Sequence, residues 1–462
     1  MSKVSERTVL ITNIVKWVIL SIIIGILGGL TTTAFLKLLE YSIGVSRKNP
    51  YFLFFIPIFF FINALLVYYL WPKDDIDTTD KVIKAVHENK SISWKSGLKA
   101  FFLPIITISG GGSAGKEAPA ADVGAASASV FSKLLRLNRE DRRKLMICGV
   151  SAGFASVFGT PIAGAIFGVE VLFVGGILYE VLLPSFIAGI VSYQVSNALG
   201  IHYFTRLEFF PEFSNTFFLK IIFAGIIFGL LSYFIIETFK FSKIISNRIK
   251  IWPPLKAFFA GALIASLAYL FSTIYLGLGL EYVESILEGM KLVWYAFLLK
   301  LLFTVITLNF GGSGGSITPI IFIGAAAGMT LGSLLGLDSA TSAAIGLISV
   351  LAGATNTPIA ASIMAIELFG TQLGAYAAIS AVISFLVTGY RSLYPSQIFK
   401  ISKSPSIDIV KGKKASNIKI VIKPKKSSEM KYIIGAINKK EKIVKKIKSK
   451  RKKLKEEIIK DI

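Results

Sequence analysis

The sequence predicts an all-α integral membrane protein, built as an inverted-topology internal repeat of tilted, partly re-entrant helices. Three observations carry this. Of the 462 residues, 53% are hydrophobic and only 17% charged, with a mean hydropathy of +0.67, whereas a soluble domain is about half apolar and a quarter charged. Two glycine-rich blocks, each leading through a proline into an apolar run, recur about 200 positions apart. The basic residues that follow the first block are missing after the second.

From the N-terminus, residues 1–16 form a short basic segment that reads as cytoplasmic. Apolar runs of spanning length, about 20 residues, then fall at 11–39, 52–71, 216–240, 254–277 and 374–390, with shorter or glycine-broken runs between them. The first run extends well past a signal-peptide core and lacks a small-residue cleavage site, so no cleavable signal is expected. Residues 17–399 form the expected membrane domain, with repeats over about 52–198 and 254–392. Residues 400–462 are a Lys-rich tail that holds about +15 of the net charge of +24. Such a segment has too little apolar surface for a core and belongs on the cytoplasmic side. The protein is thus expected in the cell membrane, as a multi-pass chain in contact with the lipid bilayer. Charge gathered in a tail with few aromatics to stack on bases gives no expectation of nucleic acid.

The repeat is the most informative pattern. GGGSAGKEAPAADVGAA at 110–126 matches FGGSGGSITPIIFIGAA at 310–326, with Gly111, Gly112, Ser113, Gly115 and Pro119 falling on Gly311, Gly312, Ser313, Gly315 and Pro319. A second pair follows in the same order, from Ala152 and from Ala352, each with a TPIA core and an acid in the apolar run behind it, Glu170 or Glu367. After the first block comes KLLRLNREDRRK, Lys133 to Lys144; its partner, SLLGLDSATSAA, has no basic residue. Because cytoplasmic connections are the ones enriched in Lys and Arg, the first connection lies inside and the second outside. The two halves are inserted upside down relative to each other, a plan that puts substrate at the repeat interface near the midplane.

Glycine-rich backbone at membrane depth survives only where protein or a water-filled path satisfies its amides. Pro119 and Pro319 suit the first turn of a new helix, where a missing N–H costs nothing. Two helix N-termini would then point inward and present free amides to a shared point, which favours an anion without holding it by a full charge. Glu117 sits at one of these ends. A carboxylate there satisfies the same amides as an anion and acts as a tethered competitor, opening the path when protonated or displaced; the plainer role is that of a helix cap. Lys116 beside it is an electrostatic attractor at the outer mouth or a side chain reaching for water. Gly115, Ala118 and Pro119 flank the path. Glu170 and Glu367 suit either a helix-end role or ion handling.

Other chemistry is poorly supplied. Cys148 is the one cysteine, and His87 and His202 are far apart, so no disulfide framework, metal site or cofactor is expected. GGGSAGKE satisfies GxxxxGK, but Glu117 stands where a nucleotide-binding loop needs Ser or Thr for magnesium, so no enzyme is expected. A cation-conducting transporter is the closer alternative, since glycine-rich loops also build cation filters; those line up carbonyls and recur fourfold, whereas this repeat is twofold with proline behind the glycines.

These motifs resemble the chloride channel/antiporter (ClC) family. GKEAP, Gly115 to Pro119, is similar to the family's G(K/R)EGP, with Ala118 for the second glycine and Glu117 on the gating glutamate. GGSITP, Gly314 to Pro319, resembles GGxFxP with Ile317 for the phenylalanine, and RSLYPS, Arg391 to Ser396, aligns with the segment bearing the chloride-coordinating tyrosine, here Tyr394. Over roughly residues 12–400 the resemblance implies chloride or another small anion as substrate, protons as a possible second one, a homodimer with one pore per subunit, and an inner anion site made by Tyr394 and the amides of Ser316 and Ile317. It leaves channel and proton-coupled exchanger both open. Two departures stand out. The family's GSGIP is replaced by DIDTTDKVIKAV, so its serine hydroxyl would come from Thr78 or else Thr79. The inner acid of many proton-coupled members, one residue after Glu170, is Val171.

Overall fold

The computed structural model describes residues 3–71, 78–203, 207–209, 214–418 and 420–422. The first half comprises α1 (Lys3–Arg47), α2 (Phe52–Leu70), α3 (Thr78–His87), α4 (Trp94–Ser109), α5 (Glu117–Leu134), α6 (Arg139–Phe158), α7 (Pro161–Glu170) and α8 (Tyr179–Ala198). The second comprises α9 (Asn215–Arg248), α10 (Pro253–Leu270), α11 (Leu280–Leu287), α12 (Ala296–Asn309), α13 (Ile317–Leu335), α14 (Ser339–Thr355) and α15 (Pro358–Thr388), the last broken at Gly370, whose φ is 80°. Seven of the described helices are long and apolar enough to cross a membrane. They turn large apolar side chains outward, Phe54 and Tyr69 of α2 among them, as lipid as solvent allows.

The halves repeat in detail because the same local signals recur. Asn138 caps α6 by accepting the amide of Asp141 at 2.8 Å, and Asp338 caps α14 by accepting that of Thr341 at 2.7 Å. Both helices end on a left-handed residue, Gly159 (φ 68°) and Asn356 (φ 57°), before the prolines that open α7 and α15. Close helix approach depends on small residues in both halves, as expected where lipid gives no hydrophobic drive to association. Gly124 of α5 lies against Gly149 of α6, and Gly324 of α13 against Gly346 of α14. Gly25 and Gly29 bring α1 onto Val191 and Val195 of α8, just as Gly225 and Gly229 bring α9 onto Ile383 and Val387 of α15. The likeness therefore takes in α1 and α9, ahead of the limits of about 52 and 254 read from the sequence.

Beyond α15 the chain does not leave the membrane domain at once. β1 (Phe173–Val174) pairs in parallel with β2 (Ile398–Phe399), which pairs antiparallel with β4 (Lys413–Lys414), while β3 (Ile407–Ile409) pairs with β5 (Ile420–Ile422). Val174, Tyr390, Phe399 and Ile409 form a small separate core there. Lys403 fastens it, its Nζ donating to Asn356 Oδ1 at 2.7 Å and to the Phe385 carbonyl at 2.6 Å. The first part of the expected tail is thus a folded attachment. Its isoleucines alternate with polar residues too briefly to register beside the lysines.

Candidate functional site

The glycine-rich blocks meet head to head. Gly115 and Gly315 form an antiparallel bridge, the amide of each donating to the carbonyl of the other at 2.7 and 2.8 Å. On either side the bonds are exchanged between halves: Ser113 N donates to Thr307 Oγ1 at 3.0 Å, and Ser313 N to Thr107 Oγ1 at 2.9 Å. Each exchange is its own mirror image, so the two loops are related by an approximate twofold axis. Buried non-helical backbone of this kind must find partners within the protein. A Cβ on Gly115 or Gly315 would occupy the space of the Glu117 carboxyl group, which accounts for glycine at both positions.

That carboxyl group is fully buried at the first turn of α5. Its Oε1 accepts the amide of Ile317 at 2.7 Å, and its Oε2 accepts the hydroxyl of Thr318. The first-half acid therefore lies on the N-terminus of the second-half helix α13, where orphan amides and the helix dipole favour negative charge. A negatively charged group is what such a helix end favours. Lys116, the residue before α5, is buried too, and the acids acting on it are Glu40, Glu117 and Glu284. Pro119 lies buried in the first turn of α5.

Gly315 also lines a cavity of about 120 Å³, together with Thr79, Asp80, Ala118, Ser316 and Tyr394 among others. The structure thus brings Ala118, Ser316 and Tyr394 to one cavity, with Glu117 and the Ile317 amide behind its wall. Thr78 begins α3, and its side chain lies outside the described residues. Thr79 lines the cavity, and its hydroxyl is buried with no hydrogen-bond partner among the described residues.

Tyr394 is held on a loop whose bonds are well satisfied. Its amide donates to Ser392 Oγ at 2.9 Å, and Ser392 Oγ donates to Gln397 Oε1 at 2.8 Å. The Gln397 amide nitrogen donates to the carbonyls of Val171 at 2.9 Å and Thr355 at 3.0 Å. Asp80 takes the amide and hydroxyl of Ser396 at 2.7 and 2.8 Å. Thr318, Asp80 and Gln397 were not singled out in the sequence; no spacing rule marks them, and only the fold brings Thr318 to Glu117, Asp80 to the Tyr394 loop and Gln397 to Val171 and Thr355.

Glu170 and Glu367 also exchange partners. Glu170 accepts the amides of Ile359 and Ala360 at 3.1 and 2.8 Å, and Glu367 those of Ile162 and Ala163 at 3.0 and 2.9 Å. Each acid caps the helix that opens with TPIA in the opposite half, the helix-end role of the two considered. His87, at the end of α3, has Nε2 at 3.0 Å from the Leu172 carbonyl. Burial, the largest influence on it, pushes its pKa down to about 4, which keeps the ring neutral near pH 7.

Residues 58–389 match the family described as voltage gated chloride channel. A "chloride/fluoride channel protein" of Pseudomonas syringae pv. tomato is 35% identical over 409 residues, covering 85% of this chain and 88% of that protein. An uncharacterised protein of Methanocaldococcus jannaschii is 30% identical over 386 residues, covering 83% and 95%. Among solved structures, a CLC-type fluoride/proton antiporter is 28% identical with a TM-score of 0.79, covering 83% of this chain and 98% of that one. A slow cyanobacterial Cl⁻/H⁺ antiporter, 16% identical with a TM-score of 0.72 over 80% and 94%, shares the fold.

Proposed function

Because the chain belongs to the voltage gated chloride channel family, whose members move small anions across membranes, we propose that it is a halide/proton antiporter with fluoride as well as chloride among its anions and Glu117 as its gate. The observation that carries this reading is the Glu117 carboxylate lying on the Ile317 amide and the Thr318 hydroxyl. In that position the acid closes the path as a bound anion would. Protonation removes the charge the helix end attracts, and the side chain gives way to a halide; return of the carboxylate displaces the halide and releases the proton. One group thereby carries the proton and competes with the anion, which ties the two movements together.

The inner halide site is formed by Tyr394, the amides of Ser316 and Ile317, and the hydroxyl of Thr79 or Thr78. Gly115, Ala118 and Pro119 shape the passage, and Lys116 draws anions from the outer side. Fluoride is supported by the names of the Pseudomonas relative and of the 28%-identical antiporter. The working unit is a homodimer with one path per subunit. Purified protein in liposomes tests the reading: an outward chloride or fluoride gradient should drive protons uphill, and halide flux without proton movement would make the protein a channel. A cation alternative has no footing here, since the helix ends meeting at Glu117 present amides rather than carbonyls.

A further inference from the structure

An antiporter needs a route by which cytoplasmic protons reach Glu117, and the usual candidates are closed here. Val171 has nothing to titrate. Glu170 is bound to the amides of Ile359 and Ala360 and is not among the described residues lining the cavity that reaches Ala118 and Gly315. The Nε2 of His87 is engaged with the Leu172 carbonyl. Resting on the antiport reading, we propose that Asp80 is the inner proton-exchanging acid, which passes protons to Glu117 through water in the cavity beside Tyr394.

Asp80 lies in the first turn of α3 and is the one carboxylate among the described residues lining that cavity. Ala118 and Gly315 line the same cavity. A Cβ on Gly315 would fall on Oε1 of Glu117, so little more than glycine backbone separates the cavity from that carboxyl group. A volume of about 120 Å³ leaves room for several waters at about 30 Å³ each.

The surrounding charges suit a group that must reload. Lys240 and Lys243 of α9 line the cavity with Asp80, and Tyr394 is the other titratable group on its wall. Lys81, the next residue of α3, turns its Nζ to Ser96 Oγ at 3.2 Å. On α5, Asp122 faces a different small cavity with Lys81 and Lys99. On α6, Arg143 acts at the opposite end of α3, on His87. Asp80 is held in place by the amide and hydroxyl of Ser396, one on each oxygen. In the transfer, the O–H bond of protonated Asp80 breaks as a water accepts the proton, the file of water delivers a proton to the Glu117 carboxylate, and Asp80 is reprotonated from the cytoplasm. No electrons change hands.

The test uses full-length protein in liposomes, with halide and proton fluxes recorded together. Asp80→Asn keeps the side chain's shape and an acceptor for the Ser396 amide but cannot carry a proton, so the number of protons moved per halide should fall by at least about tenfold, within the range expected for a lost acid–base group. Asp80→Glu should restore much of it. Ser396→Ala, which removes the hydroxyl bonded to Asp80 but leaves a carboxyl group able to carry a proton, should keep most of the wild-type ratio. An unchanged ratio in Asp80→Asn, with or without slower fluxes, would reduce Asp80 to a loop-positioning residue and overturn the proposal while antiport stands. A wild type that moves halide but no protons would overturn both.

Discussion

Glu117 accepts a hydrogen bond from the amide of Ile317 at 2.7 Å, and these two residues are counterparts, 200 positions apart in the two halves. The twofold relation between the glycine-rich loops carries each residue close to its own mirror position. An acid in one half and an apolar residue in the other turn a symmetric pair of helix ends into an asymmetric one.

Protonation of Glu117 removes the charge that binds it to α13. Halide flux in the wild type should therefore rise as pH falls. Glu117→Gln should conduct with nearly no pH dependence, checked by halide efflux from liposomes between acid and neutral pH. A mutant that kept the wild-type profile would place the gate elsewhere.

Thr318→Val removes the hydroxyl bonded to Glu117 Oε2 at little cost in shape. A hydrogen bond to a charged group contributes about 1.5–3 kcal/mol, so halide flux at neutral pH should rise by roughly tenfold or more. A fall in flux would mean that the hydroxyl serves the anion more than the gate.

The exchanged caps of Glu170 and Glu367 should be worth similar amounts. A glutamine keeps one accepting oxygen of two, so Glu170→Gln and Glu367→Gln should each cost about 1–3 kcal/mol, seen as matched drops in thermal unfolding temperature in detergent. Proton coupling should survive Glu170→Gln; its loss would make Glu170 a relay.

The Lys-rich segment after Ile422 should be dispensable for transport. Each basic residue near an anionic leaflet contributes about 1 kcal/mol of attraction, so truncation after Ile422 should leave halide selectivity intact and weaken binding to acidic vesicles. Truncation before β2 is a different experiment, because Gln397 and Lys403 tie that segment to Val171, Thr355 and Asn356.

Much of this architecture was legible in the sequence. The repeat, the inward-facing helix starts and Glu117 all follow from glycine, proline and one misplaced acid, because those residue types have few other uses at membrane depth. What was not legible depends on the fold. Thr318 and Asp80 are ordinary polar residues until the crossing of the halves brings one to Glu117 and the other to the loop of Tyr394. Thr78 and Thr79 both stay open in the sequence, because a changed motif no longer marks the register of the short helix α3. The folded attachment after α15 was hidden because its strands are two or three residues long and lie among lysines.

The central claim is that one carboxyl group both gates the anion and carries the proton. Proton uptake driven by an outward halide gradient, measured side by side in liposomes holding wild-type or Glu117→Ala protein, tests it most directly. Uphill proton uptake in the wild type and none in Glu117→Ala, with halide flux persisting in both, is the predicted result. Uphill uptake in Glu117→Ala would contradict it.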